Sequence, residues 1–406
     1  MTNRIFTPTN ILLPEGISME KWSVVACDQF SSEQDYWERV KDEVGQSPST
    51  LNMIIPEAYL DEIDEETEKE RICAVMDDYL SQGIFREIGN SFIFIKRTQS
   101  DGHVRHGIVG AIDLEEYDFS RTDAAIRASE GTVLDRLPPR IRVRRAASLE
   151  LPHIMTFIDD PENIVLGPLA KKADSLPLLY DFTLMEGGGN IRGMRVTGDD
   201  ADNVMESLGE LHLQNDMLMA VGDGNHSLAA AKVYWDEIKT SLDNEARVSH
   251  PARWALVETN NVYDDAITFE AIHRIVFDAD PADFASAIQK AMPSGDDYEL
   301  VWIYGERSGT FKTGASCIGD MLSTMQEFLD DYTKKNDCRI DYIHGEESVR
   351  KLAQSERSIG LILPAMEKSE FFSTVTSRGV FPKKSFSVGE ARDKRYYLEC
   401  RKINGR

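Results

Sequence analysis

The stretch Met217-Leu218-Met219-Ala220-Val221-Gly222-Asp223-Gly224-Asn225-His226-Ser227-Leu228-Ala229-Ala230-Ala231-Lys232 governs how the rest of the chain is read. The apolar run Met217 to Val221 predicts a buried strand. Gly222 and Gly224 on either side of Asp223 predict a tight turn. Leu228, Ala231, Trp235 and Ile238 recur at helical spacing, so strand, turn and helix should span 217–239. The first N–H groups of a helix have no partner within it and carry the positive end of its dipole, so such a turn is a ready anion site. Gly224 would let the backbone approach a phosphate closely, and Asn225, His226 and Ser227 could donate to its oxygens. Asp223 could hold a metal ion or a substrate hydroxyl. The plain alternatives are a helix cap for Asp223 and a satisfied core histidine for His226.

Outward from this turn, helical and strand-like segments alternate without an eight-fold or Rossmann repeat, which predicts a mixed α/β protein. Residues 91–96 and 105–112 read as one hairpin, and 179–184 and 191–196 as another. Helices are expected over 32–44, 57–81, 202–213 and 323–336. Strands are expected at 22–27, near Ala255, near His273 and along the tail 395–403. A length of 406 residues suits two domains. The polar stretch Thr197 to Asn203 suggests a division into 1–200 and 201–406, the second part carrying the Asp223 turn.

A net charge of -25 argues against nucleic acid or an anionic membrane as partner and leaves a small molecule as the expected one. The five cysteines are scattered and form no C-x-x-C pair, which speaks against a disulfide framework or structural zinc. Residues 1–16 lack an apolar signal-peptide core, and no apolar run approaches a membrane span, so a cytoplasmic protein is expected. Oligomeric state cannot be read from these features.

Arg121, Arg127, Arg136, Arg140, Arg142, Arg144 and Arg145 interrupt the acidic composition. Arginine's planar fork suits phosphate or carboxylate. Read as a strand, the segment puts Arg142 and Arg144 on one face, as candidate phosphate ligands. For most of the cluster, surface ion pairing is the commoner fate. Glu130, in Ser129-Glu130-Gly131-Thr132, is a candidate base or a cap. His273-Arg274 lies in an apolar strand and should face solvent, a partner or a ligand. Lys384, in Pro382-Lys383-Lys384-Ser385, could meet phosphate or simply sit in a solvated loop. The P-loop, dinucleotide, zinc-protease and nucleophile-elbow motifs are missing from the sequence.

Taken in order, these motifs resemble the bacterial and archaeal domain-of-unknown-function 1015 family. Its Asp-Gly-His-His-Arg signature stands here as Asp223-Gly224-Asn225-His226-Ser227, with Asn for the first His and Ser for the Arg. Its His-Glu-x-Thr stretch is matched by Ser129-Glu130-Gly131-Thr132, and its Pro-x-His-Arg stretch by Ala271-Ile272-His273-Arg274, without the proline. Its Pro-x-Lys-Ser element is matched by Pro382-Lys383-Lys384-Ser385. The signature is also similar to the phosphate-binding motif of free-serine kinases built on the ParB/sulfiredoxin-like fold. Members are often encoded beside serine-biosynthesis genes.

The resemblance implies a phosphotransferase acting on a small hydroxylated metabolite such as free serine, with ATP or ADP and Mg²⁺. In that reading Asp223 binds metal or orients the acceptor hydroxyl, and Gly224, Asn225, His226 and Ser227 hold phosphate. Glu130 is the general base, while His273 and Arg274 contact substrate or phosphate. Two other readings use the same anion site: a phosphatase, for example on phosphoserine, and a non-catalytic metabolite-binding regulator.

Overall fold

The computed structural model describes residues 5–26, 30, 33–56 and 64–404. Cys27, Ser32 and the first part of the helix expected over 57–81 lie outside the described residues. The fold is mixed α/β, as the alternation predicts.

The chain forms two compact units. The first comprises Met1–Ala128, Thr132–Ile267 and Glu390–Arg406; the second comprises Ser129–Gly131 and Thr268–Gly389. The division therefore does not fall near residue 200, which lies within the first unit. The polar stretch there is the start of the Asp199–Gln214 helix, whose first turn carries Asp199, Asp200 and Asp202. Those carboxylates suit the positive end of a helix, so local polarity reflects dipole compensation rather than a linker.

The first unit is built on a mixed sheet. Its main path runs Tyr117–Asp118, Ile126–Ala128, Met219–Asp223, Met155–Ile158, Trp254–Asn261, Val104–Asp113, Phe85–Thr98, Asn190–Val196, Leu178–Thr183. Strand side chains alternate between faces. Phe92, Phe94, Ile108 and Val257 accordingly join one apolar cluster, while Ile93, Ile95, Val109 and Leu256 join another. Both faces of the sheet are covered, which explains the near-continuous apolar strands in the sequence. Both predicted hairpins form, in register Ile93↔Val109 and Ile191↔Phe182.

Three local expectations fail for identifiable reasons. The arginine-rich segment is not a strand: Leu137–Ala146 is a helix opened by prolines at its first positions, which pre-set the helical backbone angle. At Trp22, a Ser18 cap accepting from Lys21 N–H makes Met19–Trp22 a helical turn. Val24 keeps only an isolated bridge to Tyr397. In the tail, Arg401–Lys402 alone pairs as a strand, with Leu149–Glu150. The charges of Arg395, Glu399 and Arg401 are instead committed to buried ion pairs.

The second unit is an antiparallel sheet in the order Arg307–Thr313, Tyr298–Tyr304, Ile359–Ile362, Phe269–Phe277, Arg339–His344, with Phe386–Val388 also pairing with Phe269–Phe277. Helices Pro281–Ala291, Ile318–Asn336, Glu346–Leu352 and Lys368–Arg378 accompany it. Among the described residues, no helix is long and apolar enough to cross a membrane.

Candidate functional site

The Met219–Asp223 strand and the Asn225–Ile238 helix form as the apolar run and helical spacing predict, with Asp223 ending the strand. Gly224 is the N-cap and lies in the left-handed region, φ 81°. A side chain there would be strained, and its Cβ would come within 3.0 Å of Ile154. No side chain caps the helix. Its first intrahelical backbone bond is Leu228 N–H to Gly224 carbonyl, 3.1 Å, so the N–H groups of Asn225, His226 and Ser227 open the helix. The Asp223 carboxylate turns back instead, its Oδ1 accepting from Gly224 N–H at 2.8 Å.

Asp223 has a partner that the turn itself does not supply. Lys394 Nζ stands 3.6 Å from Asp223 Oδ2, with only 8% of its side chain exposed. The next residue, Arg395, reaches Glu258 Oε2 at 2.7 Å and Glu399 Oε2 at 2.8 Å. The sheet sets this spacing. Asp223 and Glu258 both register on Met155, one from each neighbouring strand, so consecutive cations of the tail serve carboxylates two strands apart. Arg97 fixes the tail's backbone, donating to the carbonyls of Arg392, Asp393, Lys394 and Gly188.

His153 joins this group of charges. Burial pushes its imidazole down to about 4, with Asp223 opposing and Arg140, Arg395 and Lys394 assisting. A histidine held neutral by the fold contributes no pH penalty above its unfolded value of about 6.5. Stability is lost as pH falls from there toward 4, because the unfolded chain takes the proton first. Urea unfolding should therefore show a loss of about 2–3 kcal/mol between pH 7.5 and pH 4.5 that His153→Asn removes. The same slope in both proteins would refute that assignment.

The other predicted residues are distributed differently from the expectation. His226 Nε2 accepts the backbone N–H of Val133 at 3.2 Å, so its ring proton sits on Nδ1. Nε2 is thus tied to a backbone group rather than offered as a base. Asn225 Oδ1 is buried without a hydrogen bond among the described residues, and a half-turn of the amide presents its N–H₂ instead. Ser227 is partly exposed on the first turn. Arg142 pairs with Glu65 at the surface. Arg144 is committed to Glu150 at 2.8 Å, which Arg401 also holds at 2.7 Å. Both arginines are ion-paired, and the helix that carries them turns them about 200° apart. Arg121 and Arg145 likewise pair with Asp123 and Glu237.

Glu130, His273, Arg274 and Lys384 belong to the second unit. Glu130 bridges Phe381 along the backbone, and its charge acts favourably on Arg274. His273 and Arg274 do not face solvent: they are 7% and 0% exposed. His273 Nδ1 accepts Leu363 N–H at 3.1 Å. Arg274 donates to Gln326 Oε1 at 3.3 Å and stacks 4.5 Å over Tyr342. Burial pushes its guanidinium down to about 10. The pair is therefore built into the unit's interior. Lys384 occupies the left-handed region, φ 58°, in a turn where Ser385 Oγ donates to Pro382 carbonyl at 2.6 Å.

A protein-held metal at Asp223 does not fit this arrangement. Oδ1 is taken by Gly224 N–H, and a divalent ion on Oδ2 would share that oxygen with an ammonium. Among the described residues, no group of three carboxylate, histidine or cysteine side chains is placed to hold one.

Solved structures similar to this chain include a free serine kinase in complex with AMP, 12% identical, covering 72% of this chain and 90% of that one at a TM-score of 0.39. A conserved hypothetical protein from Pyrococcus furiosus is 11% identical, covering 72% and 94% at 0.35. SbnI from Staphylococcus aureus, with a C-terminal truncation, is 8% identical, covering 69% and 82% at 0.36. No curated protein sequence matches. The family described as protein of unknown function (DUF1015) matches residues 12–380, nearly the whole of the sequence, and this chain belongs to it.

Proposed function

We propose that the chain transfers a phosphoryl group from ATP or ADP to the hydroxyl of a small metabolite, free serine being the first acceptor to test. The observation that carries this reading is the start of the Asn225–Ile238 helix, which no side chain caps and which the left-handed Gly224 backbone leaves clear. Three consecutive backbone N–H groups and the dipole of a 14-residue helix converge there, which suits a phosphate. Phosphoryl transfer asks for positioning and charge neutralisation more than for covalent chemistry. Asp223 beside those donors accepts the hydrogen bond of the acceptor hydroxyl and so aims its oxygen at phosphorus. As the O–P bond forms, the bond to the leaving nucleotide breaks, and the hydroxyl proton goes to a carboxylate. Asp223, already aiming that hydroxyl, takes the proton. Mg²⁺ brought by the nucleotide would supply charge neutralisation on its phosphates.

The test is isotope transfer from labelled ATP and ADP to a panel of hydroxylated amino acids and sugars. Labelled phosphoserine from serine is the expected product. Phosphate release from phosphoserine without nucleotide would replace the kinase reading with a phosphatase. Nucleotide binding without any transfer would leave a regulator.

A further inference from the structure

We propose that Lys394 is the phosphate-binding cation of the Asp223 turn and takes the place of the arginine that the family signature carries where this chain has Ser227. The inference rests on the phosphate-site reading above and adds a residue that no motif assigns.

Removing the signature arginine takes a fixed positive charge from the first turn of the helix. The arginines clustered in sequence do not replace it, since Arg142, Arg144 and Arg145 are each paired with a carboxylate. Lys394 is the cation that stands against Asp223, from 171 residues further along the chain, while Arg140 acts on the same group of charges through His153 and donates to the Arg136 carbonyl.

Its surroundings are those of a binding group rather than a finished ion pair. The side chain is more than nine-tenths buried, yet Nζ makes no hydrogen bond to a described residue. The nearest carboxylate oxygen, at 3.6 Å, is beyond hydrogen-bond reach. An ammonium has three donors, and Asp223 leaves all three without a hydrogen bond. A phosphate oxygen bound beside Asp223 at the helix start would meet them. The contrast with Arg395 is direct: that neighbour, equally buried, is fully engaged by Glu258 and Glu399. Lys394 is held in place independently of any ligand, because Arg97 grips its own carbonyl and those of Arg392 and Asp393. The class of ligand is a phosphate monoester or the terminal phosphate of a nucleoside diphosphate or triphosphate.

The probes are ADP, ATP and inorganic pyrophosphate, titrated calorimetrically into the full-length protein at constant ionic strength. Lys394→Met should weaken binding about 10- to 100-fold, the range of a lost charge-assisted hydrogen bond. Lys394→Arg should stay within about fivefold, since it keeps the charge. Ser227→Arg added to Lys394→Met should recover most of the loss by returning a guanidinium to the signature position. Circular dichroism checks the fold, and Lys394→Gln replaces the Met variant if that one does not fold. Lys394→Met binding as tightly as wild type would overturn the assignment and leave the phosphate site standing. No recovery with Ser227→Arg would overturn the exchange of one cation for the other. Wild-type protein that binds none of the probes would remove the phosphate site itself, and Lys394 with it.

Discussion

Asp223→Asn is expected to cut nucleotide-dependent phosphorylation by about 10²- to 10⁴-fold, the range set by a lost proton-handling carboxylate, while the fold survives. The two side chains are nearly isosteric. An asparagine Oδ1 still accepts Gly224 N–H, the one hydrogen bond that Asp223 makes to the turn. The ion pair to Lys394 is offset at 3.6 Å and Asp223 is about a quarter exposed, so its loss costs on the order of 1 kcal/mol or less. What changes is the chemistry. The amide carries no negative charge for an acceptor hydroxyl, and its Nδ2 turns a like partial charge toward Lys394. A residue serving only as a turn former would give an Asp223→Asn protein with normal turnover and a normal melting curve. That pair of results would refute the role. A joint collapse of stability and activity would assign Asp223 to the fold instead.

The parts of this fold legible in the sequence are those whose signal is local. The Met217–Val221 run, the glycines around Asp223 and the 3.6-residue spacing of Leu228, Ala231 and Trp235 each determine their own backbone. Both hairpins were legible for the same reason. The arginine segment misled because alternation was weighed above Pro138 and Pro139, whose ring-fixed backbone angle opens a helix. The division into units was not legible at all. The chain leaves the first unit briefly at Ser129–Gly131 and again at Thr268, then returns at Glu390, and no composition shift marks those crossings.

The turn of the candidate site could be found from its motif, but its cation could not. Lys394 meets Asp223 only because the tail crosses the sheet beside Glu258, and that contact is topological. One signal was available. In Lys394-Arg395-Tyr396-Tyr397-Leu398-Glu399-Cys400-Arg401 charges stand among large apolar residues, and Glu150 and Glu258 stand likewise in Leu149-Glu150-Leu151 and Val257-Glu258-Thr259. Charges embedded in buried segments must find each other, because an isolated buried ion is too costly to keep. The same rule bears on His273-Arg274, which do not face solvent. An apolar strand can keep a charged pair inside, where Arg274 stacks on Tyr342 and bonds Gln326, with its Nη2 left without a hydrogen bond among the described residues.

Glu258→Gln should be among the most destabilising single changes in the protein, costing about 3–5 kcal/mol in equilibrium unfolding at neutral pH. Glu258 is 2% exposed. Its Oε2 takes Arg395 at 2.7 Å, and its Oε1 faces Arg105 at 3.5 Å and accepts Asn260 Nδ2 at 3.0 Å. Gly107 leaves the room for it, since a Cβ there would come within 2.5 Å of Oε1. Burial alone would raise this carboxyl, but Arg105 and Arg395 outweigh it and hold the group at about 2. The amide fits the space yet leaves two buried guanidinium groups sharing one fewer negative charge, with Glu399 still on Arg395. The pH dependence gives a second reading. A depressed carboxyl stabilises fully above its unfolded value near 4.5 and loses that contribution as pH falls toward 2. The gap between wild type and Glu258→Gln should therefore narrow across that interval. Glu87→Gln is the control. Glu87 meets Lys402 at 2.8 Å with both side chains about half exposed, and such a pair contributes little. A Glu258→Gln protein no less stable than Glu87→Gln, with an unchanged acid limb, would show that Arg105 and Arg395 are held by something other than this carboxylate.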